Sequence, residues 1–226
     1  MGLAFRLPGD IRDLDSFWEL LERGGDAIRK RRYPRVPMGY PAREARYWGG
    51  YISDIDLFDA AFFKLSPREA ELMDPQHRVF LETAWHALED AGIAPSRLAG
   101  TRTGVYAGIC NYDYGELQQA HRELAHSAHS ALGTAPALLA NRLSFLLDLR
   151  GPSQTIDTAS SSSLVALHHG VQGLRQGACD QALVGGVNLL ISSRIFDGFG
   201  DAGMLGRAGR CRTFDARADG YVRGEG

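Results

Sequence analysis

The sequence is short of the features that mark membrane, secreted or nucleic-acid-binding proteins. No apolar window approaches the ~20 residues that cross a bilayer, and the N-terminus has no signal-peptide apolar core. Cysteine is scarce: Cys110, Cys179 and Cys211 are an odd number, widely separated, with no C-x-x-C pair. That excludes a disulfide framework and a zinc knuckle, and fits a reducing, cytoplasmic setting. Net charge is −2, and no basic block exceeds Arg29-Lys30-Arg31-Arg32, so neither nucleic acid nor membrane is an expected partner. That run is expected in a solvated loop after the first helix. His121 and His126 flank Glu123 but lie five residues apart, which turns the second by roughly 140° on a helix, so no metal is expected there. His77 and His86, nine apart, do not stack either and are expected to be structural or exposed. Gly185-Gly186 is not G-x-G-x-x-G, so no dinucleotide cofactor is inferred.

What is present is a 44% apolar chain of short strand-like and helix-like runs in alternation, the pattern of an α/β protein with a parallel-rich sheet. Ser16-Phe17-Trp18-Glu19 has a capping-box pattern, and the helix it opens stops at Gly24-Gly25. Residues 30–50, with three prolines and no period, read as loop. Asp74-Pro75 is a strong helix start, with Leu81, Trp85 and Leu88 on one face and Gly92 as the stop. Thr103–Ile109 and Gln181–Asn188 read as buried strands, 136–147 as a helix, and 196–205 as loop or short helix.

The most informative stretch is 152–170. Ser153 to Ala159 holds the β-branched Thr155, Ile156 and Thr158 of a strand. Leu164, Leu167, Val171 and Leu174 then recur at helical steps, with Gly177 as the stop. Four serines, Ser160 to Ser163, occupy the junction. A strand turning into a helix exposes unpaired N–H groups and the positive end of the helix dipole, which suits a nucleophile or an anion. The plain alternative is that the serines only cap the helix.

Asp157-Thr158-Ala159-Ser160-Ser161-Ser162-Ser163-Leu164-Val165-Ala166-Leu167-His168 resembles the active-site block of the β-ketoacyl synthases, specifically the ketosynthase domains of modular type I polyketide synthases. That block reads Asp-Thr-Ala-Cys-Ser-Ser-Ser, and its cysteine accepts the acyl chain; here Ser160 stands in the cysteine's place. Further resemblance lies in Gly2–Gly9, Trp48–Tyr51, Phe58–Phe63, Met73–Gly92, Leu149–Ser153, Gly209–Ala216 and Asp219–Gly226.

The resemblance implies a thiolase-like fold, here its N-terminal half: layered helices around a mixed five-stranded sheet, clipped at both ends. It implies a single unit, 1–226, whose complementary C-terminal half is absent. It also implies decarboxylative Claisen condensation of an acyl chain with a malonyl-type extender in polyketide or fatty acid biosynthesis. No cofactor would be bound directly; acyl and malonyl groups arrive on the phosphopantetheine arm of an acyl carrier protein. The complete enzyme would be a homodimer with residues 153–159 near its twofold axis. The family's two catalytic histidines lie in His-Gly-Thr-Gly and Asn-x-Gly-His contexts, and neither occurs in this sequence.

Chemistry explains why cysteine is wanted at position 160. A thiol starts near pKa 8.5, and a helix N-terminus contributes up to about 2 kcal/mol, or roughly 1.5 pK units. A serine hydroxyl given the same push stays protonated and needs a general base. Its backbone N–H still suits an oxyanion hole. Three readings follow: a ketosynthase fragment or split subunit; a ketosynthase-like decarboxylating or silent domain of an initiation or non-elongating module; and, distantly, a serine hydrolase, which lacks G-x-S-x-G around Ser160.

Overall fold

The computed structural model describes residues 1–32, 46–119 and 127–226. Its centre is a parallel sheet of β3 (Thr103–Gly108), β4 (Ser153–Ile156) and β5 (Gln181–Gly186), in the order β4-β3-β5. Helices α4 (Asp113–Gln119), α5 (Ala128–Thr134) and α6 (Leu138–Leu146) lie in the β3-to-β4 crossover, and α7 (Ser162–Arg175) joins β4 to β5. Parallel neighbours require such crossovers, which cover the two sheet faces with helices.

Side-chain alternation along β3 separates the layers. Val105 and Ala107 enter the main core with Val79, Phe80, Leu139 and Leu143, whereas Tyr106 points to the other side, against Ala166 and Cys179. The main-core side is therefore covered by α3 (Pro75–Asp90) and α6, and the Tyr106 side by α7. Helix α3 begins as expected: Asp74 Oδ1 accepts the Gln76 N–H at 2.8 Å, Pro75 takes the first helical position, and Gly92 follows the end with φ +65°.

The sheet is narrower than the resemblance implies: three parallel strands, not a mixed sheet of five, among the described residues. Among the described residues no strand pairs with the outer edge of β5; just past its end, Gly226 and Asn188 exchange N–H···O bonds of 3.0 and 2.8 Å. Open on that side, β5 is half-exposed where a buried strand was expected, and Val184 is partly bare. β4, at the other edge, is also only partly covered.

A second small sheet corrects the loop reading of 30–50. β1 (Ile28–Arg32) runs antiparallel to β2 (Arg46–Gly50), which pairs in parallel with β6 (Arg223–Gly224). The basic run is thus a strand, paired residue by residue with β2, and aromatic faces support its cations: Lys30 Nζ lies 4.7 Å from the Trp48 ring centre and the Arg31 guanidinium 5.7 Å from that of Tyr51. Residues 33–45 lie outside the described residues, as do His121 and His126. Helix α1 (Leu14–Glu22) starts earlier than expected, since Asp13 is its N-cap and Ser16 the third residue of a reciprocal box. The remaining helices are α2 (Pro67–Leu72) and α8 (Arg194–Asp201), the latter overlapping the stretch read as loop or short helix.

Helix α7 lies close to the sheet because both surfaces are stripped of side chains. Ser162, Ala166, Gly170 and Gly173 form its buried stripe. A Cβ on Gly170 would come 2.6 Å from Val184 Cγ2, and one on Gly108 of β3 would stand 2.8 Å from the Ser162 carbonyl carbon and the Ser163 nitrogen. The leucine stripe read from the sequence faces away: Leu164 is 70% exposed and Leu167 49%.

Two measurements test this packing. Gly108→Ala must displace backbone, so we expect a loss on the order of 1–3 kcal/mol and a melting temperature lower by several degrees. Gly198→Ala, in α8 with nothing within 4 Å of the added methyl, should leave stability unchanged or raised. Equal melting temperatures for the two variants would contradict the close approach.

Burial also sets a pH signature. His77 is buried with Nδ1 unpartnered, and its pKa falls to about 3 through desolvation and then through Arg142. The native state is therefore favoured above about pH 6.5 and loses about 1.4 kcal/mol per unit as pH falls toward 3. Asp74 works in the opposite sense. Desolvation raises its carboxyl from 3.8 to about 6, so its contribution is full below the unfolded value and lost as pH rises through 6. The slopes cancel between roughly 6 and 4. We expect urea midpoints of the parent to fall relative to those of His77→Gln as pH falls through that window. Parallel profiles would refute a neutral buried His77.

Candidate nucleophile site at the strand–helix junction

The chain leaves β4 at Ile156 and enters α7 at Ser162, and the residues between form a tight, internally bonded elbow. Asp157 Oδ1 accepts the Ala159 N–H at 3.0 Å. Ala159 takes φ +56°, a left-handed conformation that costs a non-glycine residue about 1–2 kcal/mol. Ser162 Oγ accepts the Thr158 N–H at 2.9 Å and donates to the Ala159 carbonyl at 2.7 Å. Ser161 Oγ lies 2.8 Å from both the Thr158 carbonyl and its hydroxyl.

The serine run therefore divides its labour. Ser161 and Ser162 staple the turn, and Ser163 packs its Cβ against Gly186, where an added Cβ would come within 2.8 Å. Ser160 is exposed, and its hydroxyl makes no hydrogen bond among the described residues. It sits two residues before the first helical residue, close to the helix start expected there, and Gly177 with φ +69° follows the helix end. The cap reading of the serines does not hold: Ser161, at the N-cap, makes no side-chain bond to a helix N–H, and Ser161 and Ser162 bond back into the turn instead, which leaves 160 unassigned to structure.

This geometry gives residue 160 the helix N-terminal field but, among the described residues, no base. Asp157 is held by its own turn and by Tyr112, whose hydroxyl donates to Oδ2 at 2.7 Å. His168 is eight residues onward, about 12 Å of helix rise away, and His169 Nδ1 lies 3.0 Å from Gln154 Oε1. Cys110, on the loop after β3, is no substitute nucleophile. Burial raises its pKa, the Asp157 charge raises it further, and Arg223 offsets only part.

Sequence reading missed the polar frame beside this elbow. Glu225 accepts the N–H groups of Ile52 and Leu190 at 2.9 Å each. Arg223 donates to Asn111 Oδ1 at 3.3 Å and lies 4.8 Å over the Phe196 ring and 5.4 Å over that of Phe199. Asn111 Nδ2 donates to Asn188 Oδ1, and Gln76 bridges the Asn111 carbonyl and the Leu189 N–H at 2.8 and 3.2 Å. These groups tie the loops beyond β3 and β5 together at the carboxyl ends of the strands, where parallel α/β sheets bind their ligands. The available signal was the run of polar residues in Asp219–Gly226, read only as a match. Among the described residues no group of three His, Cys, Asp or Glu side chains could hold a metal ion, and no helix is long and apolar enough to cross a membrane.

Comparison with known proteins places this geometry in a family. The "Beta-ketoacyl synthase, N-terminal domain" family profile matches residues 1–226. A phenolphthiocerol/phthiocerol polyketide synthase subunit from Mycobacterium tuberculosis is 46% identical over 235 residues, covering all of this chain and 12% of that protein. 6-Methylsalicylic acid synthase of Aspergillus niger is 45% identical over 237 residues, covering all of this chain and 13% of that one. The ketosynthase from module 6 of the Bacillus subtilis bacillaene synthase superposes with a TM-score of 0.85 at 38% identity, over 99% of this chain and 37% of its own. A cysteine-to-serine mutant of that ketosynthase gives 0.82 at 36% identity, over 99% and 38%. The chain spans about an eighth of the curated relatives and under two fifths of these solved ketosynthases. Its sequence and its thiolase-like α/β fold both assign it to one group: it belongs to the β-ketoacyl synthase N-terminal domain family.

Proposed function

We propose that this chain supplies the nucleophile-bearing half of a polyketide-synthase ketosynthase, with Ser160 at the position of the acyl-accepting residue. The observation that carries the reading is the elbow. Residue 160 is the exposed, unengaged member of a serine run whose neighbours are consumed by the turn, and it lies at the N-terminus of a helix packed on a parallel sheet. The reaction is decarboxylative condensation of an acyl chain with a malonyl-type extender, both delivered on the phosphopantetheine arm of an acyl carrier protein. With serine at 160 and no base within reach among the described residues, the chain holds this position without accepting an acyl group. That also favours a second reading, a decarboxylating or silent ketosynthase-like domain.

The partner is a C-terminal ketosynthase half bearing the His-Gly-Thr-Gly and Asn-x-Gly-His motifs. Its seat is the outer stripe of α7, Leu164, Leu167, Val171 and Leu174, all exposed and contiguous at helical spacing. The free edge of β4 suits the twofold contact of a homodimer.

Timed exposure to iodoacetamide and to an acyl thioester, read by mass spectrometry, tests the nucleophile. Ser160 should form no stable acyl adduct. Ser160→Cys should alkylate faster than Cys110, Cys179 or Cys211, most of all with the C-terminal half present, and condensation should require that half. Ready acylation of Ser160 would expose a hidden base, and a Ser160→Cys thiol no faster than the native three would remove position 160 from the mechanism. Alone, the chain should bind a hydrophobic dye and lose that binding when the C-terminal half is added. A dye-silent chain with a sharp melt would refute the docking face.

A further inference from the structure

Within that reading, we infer that Asp157 and Tyr112 form a clamp that aims residue 160. Asp157 joins the loop after β3 to the elbow after β4: one carboxylate oxygen accepts the Tyr112 hydroxyl at 2.7 Å and the other the Ala159 N–H at 3.0 Å. The second bond closes an Asx turn, the local device that lets a chain hold a left-handed residue. Ala159 needs such a device. Its φ of +56° is disfavoured for a residue with a Cβ, and the carboxylate's hydrogen bond to the Ala159 N–H offsets that cost.

The consequence falls on residue 160, the next in the chain. With Ala159 left-handed, the backbone reverses just before α7, so residue 160 leaves the turn on the exposed side at the head of the helix. If Ala159 relaxes to an ordinary φ, the direction of residue 160 changes while the staples at Ser161 and Ser162 still hold the helix start. Tyr112 fixes the carboxylate from outside the elbow, so the strand-end loops move as one piece. Asp157 and Tyr112 are positioning residues: they act through Ala159 and need touch no substrate.

Charge and geometry separate in a matched pair of variants. In the Ser160→Cys background, Asp157→Asn and Asp157→Ala remove the same negative charge, but only asparagine keeps an oxygen for the Ala159 N–H. Iodoacetamide alkylation of the thiol at 160, followed by mass spectrometry at fixed pH, should be about tenfold slower in Asp157→Ala than in Asp157→Asn, the equivalent of one neutral hydrogen bond. Tyr112→Phe in the same background should slow it about two- to threefold, since one anchor of two remains. The exposed Cys211 serves as internal control and should alkylate at one rate throughout. Rates within twofold for the Asp157 pair would overturn the clamp, as would a fall at Cys211 that matches the fall at 160. The nucleophile reading is scored separately, by the ratio of position 160 to Cys211 in the Ser160→Cys parent, so either idea fails without the other.

Discussion

The approach of one helix to one sheet governs the rest of this molecule. Helix α7 reaches the strands because glycine and small side chains line both surfaces: Gly108 and Gly186 on the strands, Ala166, Gly170 and Gly173 on the helix. Each of these glycines removes an atom that would collide with backbone or with a side chain fixed by its own packing. The result is a helix whose first turn rests on the carboxyl ends of β3 and β5. Helix α7 is therefore held against the sheet by backbone packing, and residue 160, two residues before it, keeps an exposed side chain.

Close packing fixes the helix, but the strand ends also need fixing. Loops beyond parallel strands carry N–H and C=O groups that no ladder satisfies. Here buried side chains take them. Glu225 serves Ile52 and Leu190, Gln76 serves Leu189, and Asp113 Oδ2 accepts from Ile191 and Ser192 at 3.3 and 3.1 Å. Desolvation raises the pKa of Asp113, with Arg223 drawing it back, so the frame holds opposite charges near one another at the cost of burying them. Such a frame adds little net stability and much geometric definition, because leaving any member unpaired costs more than the pair contributes.

Much of this was legible in the sequence where local chemistry decides. The Asp74-Pro75 helix start, the Thr103–Gly108 strand and the strand-to-helix turn at 153–162 each follow from nearest-neighbour rules. The family followed from the wording around Ser160. What the sequence concealed depends on partners distant in the chain. A period of three and four marks Leu164, Leu167, Val171 and Leu174 as one face, yet it cannot say whether that face or the glycine face meets the sheet. Likewise Arg29–Arg32 has the composition of a solvated loop, and its pairing with 46–50, distant in the chain, makes it a strand. Asp157 was visible as a turn former, but its second partner, Tyr112, lies 45 positions earlier.

The two faces of α7 also connect packing to reactivity. The inner face fixes where residue 160 stands, and the outer face decides in what medium it works. At a water-exposed helix N-terminus the dipole is worth about 0.3–1 kcal/mol to a negative charge, under one pK unit, whereas in a partly buried setting it approaches 2 kcal/mol. Ser160 is exposed in this chain, with the leucine stripe bare beside it. A layer docked on that stripe would remove water from the same end of the helix that bears residue 160, and so would also strengthen the field at that position. The elbow is built by this chain's own backbone; the strength of its electrostatics depends on what lies over the outer face.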